Sequence, residues 1–312
     1  MKRLMKQRLL LGAGTALFLG AALLQPDKVL AGAARGLLLW YAKVLPVQFP
    51  FITGARLLLK LGLETWAQGR MNGLMNRLFG LPGRAGAVWL AGLVAGYPSG
   101  AFFTARLYEE GGLREYEILP LVLLSNTAGP LFVVGTLGEA MLGHAGWGAA
   151  LLGIHWIGAL ATARLFCPRR GGGPVIWPAP IKPGADTDLG RLLSESAGEA
   201  AEVTVKAGEF IVLFSVLTEL LPLPGRPELA GVASGLLEIT GGAALLTARQ
   251  PVSAGAFAAL SFLLGFSGLS ILMQTASVIK PAPCPLGKLT AGKLIQAAIS
   301  GILAVPVFFA VL

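Results

Sequence analysis

The chain has 312 residues, of which 54% are hydrophobic and only 13% charged, with a mean hydropathy of +0.71 and a formal net charge of +9. Soluble domains carry roughly 25% charged residues, so this composition excludes an ordinary soluble globular protein. The basic residues are scattered and lack the interleaved aromatics of a nucleic-acid groove, so no nucleic-acid partner is expected and the charges read as topology signals.

At the N-terminus, Lys2, Arg3, Lys6 and Arg8 precede the apolar run LLLGAGTALFLGAALL, which predicts a first membrane helix near 9–24 with the N-terminus in the cytoplasm. A cleaved signal peptide opens in the same way, and VLAGAA could serve as its cleavage region. The many apolar segments downstream favour a retained anchor. Further segments are expected near 28–60, 86–106, 117–141 and 146–166. A polar Pro/Gly-rich linker, CPRRGGGPVIWPAPIKPGADTDLGRLLSESAGEAAE, follows at 167–202. Four more segments come near 203–222, 228–248, 252–279 and 290–312. No residue from Gln250 to Ile279 carries a formal charge, and about 20 apolar residues suffice to cross a hydrocarbon core. The expected fold is an all-α polytopic membrane protein in the lipid bilayer. Its parts are an N-terminal helix (1–26), a first repeat (27–166), the linker (167–202) and a second repeat (203–312).

The case for a repeat rests on aligned features. GAFFTAR ends at Arg106 and GAALLTAR at Arg249, so their shared Thr-Ala-Arg is offset by 143 residues. LLSNTAGPLFVVGT faces LLGFSGLSILMQTA, with Gly129 and Gly268 offset by 139. One shortened connection between the two features, LYEEGGLREYE against QPVSAGA, accounts for both offsets. Thr-Ala-Arg alone would be a chance match, since ATAR also occurs at 161–164. The ordered series of helix breaks carries the argument instead.

Those breaks are the functional signal. Gly96–Gly100, Ser125–Pro130, Glu238–Gly242 and Gly265–Ser270 place helix-breaking residues inside apolar segments. Within a membrane an interrupted helix leaves backbone groups unpaired, which is tolerated only where protein or a water-filled cavity takes them over. Transporters built from internal repeats use discontinuous helices in this way, with solute held between the half-helix ends. Four full crossings per half would make the repeats parallel. If one broken element in each half is a re-entrant hairpin, the repeats are inverted.

The stretches FPFITGARLLLKLG, GLVAGYPSGA, LYEEGGL, LLSNTAGPLFVVGTLGEAML and GFSGLSILMQTASVI resemble the YlbJ-type sporulation integral membrane proteins with paired nucleoside-recognition, or Gate, domains. The resemblance covers most of residues 40–280. It implies a transporter of endospore-forming bacteria that acts in the mother cell, in the outer forespore membrane, moving dipicolinate towards the forespore. The Gate name reflects a relation to concentrative nucleoside transporters and does not establish nucleoside binding. This chain is shorter than expected for the family around the linker and the C-terminus.

Candidate solute contacts lie at the breaks. Tyr97, Pro98, Ser99 and Gly100 combine a rigid turn, a hydroxyl and exposed backbone able to hold an anion, or else form a packing kink. Ser125, Asn126 and Thr127 precede Gly129 and Pro130, offering solute or ion contacts or interhelical hydrogen bonds. Ser267, Gly268, Ser270 and Gln274 form a polar stripe, since 267, 270 and 274 fall at spacings of three and four. Glu238, followed by Thr240 and Gly241, is the sole charge between Leu229 and Ala248. It reads as a proton carrier or gate, or as a structural partner of Arg106 or Arg249. Those two arginines could grip a dicarboxylate with their planar forks, or snorkel at segment ends. Arg56, Lys206 and Glu209 are less specific, and Glu109, Glu110, Arg114, Glu115 and Glu117 read as a solvated loop.

His144 and His155 are eleven residues apart without a third ligand, and Cys167 and Cys284 suggest neither a disulfide framework nor a metal site. No enzyme activity and no cofactor are expected. The expected partners are lipid and a small solute, dipicolinate or nucleoside-like, with coupling to a proton or cation. A non-transporting scaffold of a sporulation complex is the remaining alternative.

Overall fold

The computed structural model describes residues 2–167 and 188–311. Among them every regular element is helical. Helix α1 (Lys2–Leu24) leads into α2 (Pro26–Leu39), which Pro26 starts at a position where no donor is lost. The run continues through a π-helical turn at Trp40–Val44, α3 (Leu45–Leu58) and a second π-helical turn at Leu59–Leu63, then bends at Gly62 into α4 (Glu64–Phe79). Gly80 in the left-handed region ends α4. The segment expected at 28–60 is therefore part of one bent helical run reaching Phe79.

Two broken segments follow. The first is α5 (Ala85–Ala95) and α6 (Ser99–Glu109). The second is α7 (Glu115–Ser125), an extended stretch, and a π-helix at Leu131–Met141. Helix α8 (Ala145–Leu165) closes this half. The expected linker lies outside the described residues from 168 to 187. Its remainder is helical from Leu189, because Asp188 accepts hydrogen bonds from the amides of Gly190 and Arg191 and starts α9 (Leu189–Leu220). After α9 the pattern recurs. It comprises α10 (Pro227–Leu237) with α11 (Ile239–Thr247), then α12 (Ala254–Phe266) with α13 (Gly268–Val278), then α14 (Leu286–Val311). The last segment thus begins at Leu286 rather than 290.

The two kinds of break differ. Helices α10 and α11 fold back on each other as a hairpin. A Cβ at Gly242 would strike the backbone of Gly235, and one at Gly231 would lie 2.7 Å from the Leu246 side chain, the pairing of antiparallel arms. Helices α5 and α6 also pack together, with Gly92 and Gly100 both against the carbonyl of Ser125. By contrast α12 and α13 diverge at Ser267 and Gly268, which have φ of 70° and 78°. Each side of the linker therefore holds, in order, a long helix, a helical hairpin, an interrupted helix and a closing helix.

The sides interlock, with α9 lying along α2 and α3, and α14 along α8 and α12. Trp147, Phe257 and Phe308 cluster at centroid distances of 5.1–5.6 Å where α8, α12 and α14 meet. The outer surface is strongly apolar. Leu9, Leu11, Leu17, Leu23, Leu38 and Ile302 are each more than half exposed, an arrangement suited to lipid rather than water. Among the described residues four helical runs, Pro26–Phe79, Ala145–Leu165, Ala254–Val278 and Leu286–Ala310, are long and apolar enough to cross a membrane.

Candidate functional site

The helix breaks do not scatter over the surface; three of them line one cavity of about 550 Å³, and the fourth packs against the third. Its lining includes Gly96, Tyr97, Gly129, Pro130, Glu238 and Thr240 from the first three breaks, with Ile271 and Gln274 supplied by α13 just beyond the fourth. Direct contacts tie the breaks together. A Cβ on Gly96 would lie 2.9 Å from the amide nitrogen of Gly129, and one on Gly268 would lie 3.1 Å from the carbonyl of Gly235. Asn126 Nδ2 donates to Thr275 Oγ1 at 2.9 Å, joining the interrupted helices of the two sides.

Gly96 has φ 78° and ψ −173°, a conformation open essentially to glycine alone. It turns the chain so that the Tyr97 carbonyl can accept a hydrogen bond from Gln48 Nε2 at 2.8 Å. The Tyr97 hydroxyl and Gln48 Oε1 are buried without a partner of their own among the described residues. Buried polar atoms normally find one, and both residues line the cavity, so a bound solute is a natural partner.

Glu238 is the cavity's buried carboxylate. The hairpin turn puts it in extended conformation at the head of α11, where its two oxygens accept from Thr240 N at 3.0 Å and Gly241 N at 2.8 Å. The carboxylate thus satisfies amides that a helix start would otherwise leave open, and gains from the positive end of the helix dipole. Among the described residues no arginine is its partner, contrary to the structural reading of this residue. Arg106 instead meets Glu109 at 2.9 Å and stands over the Phe102 ring, while the exposed Arg249 meets Glu228 at 3.7 Å. Neither arginine lines the cavity, so the structure does not assemble the expected two-arginine clamp there. The nearest substitute for its positive charge is Lys43, an exposed residue of the lining.

The other expected contacts stand behind the wall. Pro98 precedes α6, and Ser99 and Gly100 form its buried first turn. Ser125 donates to Leu121 O at 2.7 Å. Thr127, Ser267 and Gly268 are buried without lining the cavity, and Ser270 accepts from Gln274 Nε2 at 3.2 Å. Asn126 Oδ1 accepts weakly from Ala101 N at 3.4 Å, so this residue braces α6 and α13 at once.

The acidic stretch after α6 is also more than a solvated loop. Glu117 is fully buried and accepts from Arg114 N at 2.9 Å, and Glu110 meets the buried Arg56 at 3.3 Å. His144 and His155 are not brought together. His144 is exposed and caps α8, accepting from Gly146 N, whereas the buried His155 accepts from Ala128 N at 2.9 Å. Sequence reasoning passed over Lys293 and Gln296, both fully buried on α14 beside the first interrupted helix. Their signal was a polar series in an apolar segment, Lys293, Gln296 and Ser300, at spacings of three and four.

No family model matches the chain, and no solved structure does. The chain is 27% identical over 313 residues to the sporulation integral membrane protein YlbJ of Bacillus subtilis (strain 168), an alignment covering 88% of this chain and 77% of that relative. It is a homologue of a sporulation membrane protein. The long apolar helices and the apolar outer surface agree with that relationship.

Proposed function

We propose that the protein is a membrane transporter of a small organic anion, dipicolinate being the first candidate, and that the solute passes through the cavity between the hairpins and the interrupted helices. The observation that carries this reading is the meeting of three helix breaks at one cavity that contains a buried carboxylate, with the fourth break packed against the third. Such breaks are costly in a membrane unless protein or a water-filled cavity takes up their backbone groups, and repeat transporters hold solute between such half-helix ends. On this reading the hairpins do not cross the membrane fully. Each side then makes three crossings, an odd number, and the two sides are inverted repeats. Movement towards the forespore places the protein in the outer forespore membrane, with a cytoplasmic N-terminus.

An anion held beside an ionised Glu238 in a cavity of largely apolar lining would meet strong repulsion. The transporter therefore couples solute entry to a proton carried on Glu238, while Lys43 and the helix starts face the anion. A second reading is favoured by the hydrogen-bonding groups of the lining. Gln48, Tyr97, Thr240 and Gln274 would suit a nucleoside or another neutral solute better than a dianion. Uptake of labelled dipicolinate by purified protein in vesicles decides between them. The first reading expects accumulation that nucleosides do not compete away, and competition by nucleosides would establish the second. Vesicles that move neither solute would contradict both and leave a scaffold role.

A further inference from the structure

The first interrupted helix leaves its regular hydrogen bonding between Ser125 and Pro130, and other parts of the protein approach the freed backbone there. Gly92 and Gly100 pack directly on the Ser125 carbonyl, and Ala128 N donates to His155. The carbonyl of Asn126 is different, because it accepts from the ammonium of Lys293 at 2.8 Å. Lys293 Nζ also donates to Gln296 Oε1 at 3.0 Å. Lys293 is 0% exposed, and no carboxylate lies within ion-pair distance of it among the described residues.

An ammonium held by two neutral oxygens in an apolar interior would be an expensive arrangement, and ionisable groups inside a membrane are usually functional. Carbonyl oxygens exposed by a broken transmembrane helix are also where transporters coordinate a coupling cation. An ammonium is a compact point charge that seeks oxygen ligands, much as an alkali cation does. At the second interruption Ser267 Oγ donates to the carbonyl of Phe266 within the break itself.

We propose that Lys293 is a tethered cation: its ammonium fills the place beside the first interrupted helix that a dissociable alkali cation would otherwise occupy, so the folded protein requires no bound sodium. The consequence for coupling rests on the transport reading above. The binding claim does not, and its test reads unfolding rather than transport.

The full-length protein in detergent is heated in sodium, potassium, lithium or choline chloride at matched ionic strength. The wild type is expected to unfold at the same temperature in all four salts. Lys293→Ala removes the ammonium and opens space, so it unfolds earlier and regains on the order of a few degrees, saturably, with an alkali cation but not with choline. Lys293→Met fills the space without charge and is expected to stay low in every salt. Should Lys293→Ala fail to fold, Lys293→Gln decides, because its amide can still donate but carries no charge. Wild-type stability of Lys293→Gln in choline would overturn the proposal. So would a folded Lys293→Ala protein indifferent to all three alkali cations, or a saturable sodium effect on the wild type.

Discussion

Glu238 performs two tasks with one side chain, and the chemistry of each can be separated. As the cap of α11 it offers two oxygens to two amides. As a proposed proton carrier it must gain and lose a proton during the cycle. Glu238→Gln keeps one acceptor oxygen in place and cannot titrate, so the cap weakens by about 1 kcal/mol while the proton function disappears. Vesicles containing this variant should lose pH-gradient-driven accumulation of dipicolinate yet retain exchange of solute for solute. Unaltered gradient-driven accumulation would rule the carrier role out. The sequence marked Glu238 because it stands alone in an uncharged segment. It misled on Arg106 and Arg249, whose shared motif suggested a common ligand. Arg106 pairs with Glu109 one turn on in the same helix, whereas Arg249 reaches Glu228 in the first turn of α10, so the two arginines stand in different settings despite their shared motif.

At the level of elements, the hairpins depend on glycines that let backbones touch. Gly242 meets the backbone of Gly235, where no side chain can yield, and α10 and α11 cannot both keep their course if a methyl group is added. Gly242→Ala is predicted to destabilise the protein by about 1–3 kcal/mol, read as a lower unfolding temperature in detergent. Gly241→Ala is the control. Its Cβ would come no closer than 3.3 Å to anything, the nearest atom being the Ser234 hydroxyl, and it should cost less than half as much. Equal losses would show that the close hairpin is not what holds these arms. The positions of the four breaks were legible in the sequence, because glycine, proline and polar residues interrupt long apolar runs. Which break folds back and which runs onward was not. That distinction depends on arm-to-arm packing and on single dihedrals such as those of Ser267 and Gly268, which composition does not encode.

Across the whole molecule, ion pairs fasten the first long helical run to α9. Arg56 pairs with Glu199, and Lys60 meets Glu195 at 2.9 Å and Glu199 at 3.2 Å. Hydrogen bonds from Lys60 and then from Arg191 hold the Glu195 carboxyl below the usual carboxylate range. A carboxyl depressed in the folded state contributes stability above its unfolded value of about 4.3, and that contribution is lost as pH falls through the folded value. Thermal unfolding from pH 7 to pH 3 should therefore show an acid-side loss that Glu195→Gln reduces. The exposure of Glu195 keeps the effect small, and high salt should shrink it further. An identical acid limb in the variant would remove this group from the account. None of these cross-molecule partners could be read from the chain. Arg56 and Glu199 are 143 residues apart and meet only because α3 and α9 lie side by side.

If the cavity joining the two sides is the solute path, a group that fills it must stop transport. With Cys167 and Cys284 replaced by serine, Val134→Cys sets a thiol in the cavity lining. Labelled dipicolinate uptake into vesicles is then measured before and after treatment with a charged methanethiosulfonate. The account predicts that modification stops uptake and that dipicolinate present during treatment slows the modification. Full uptake by a protein whose Val134→Cys thiol is shown to be modified would contradict it.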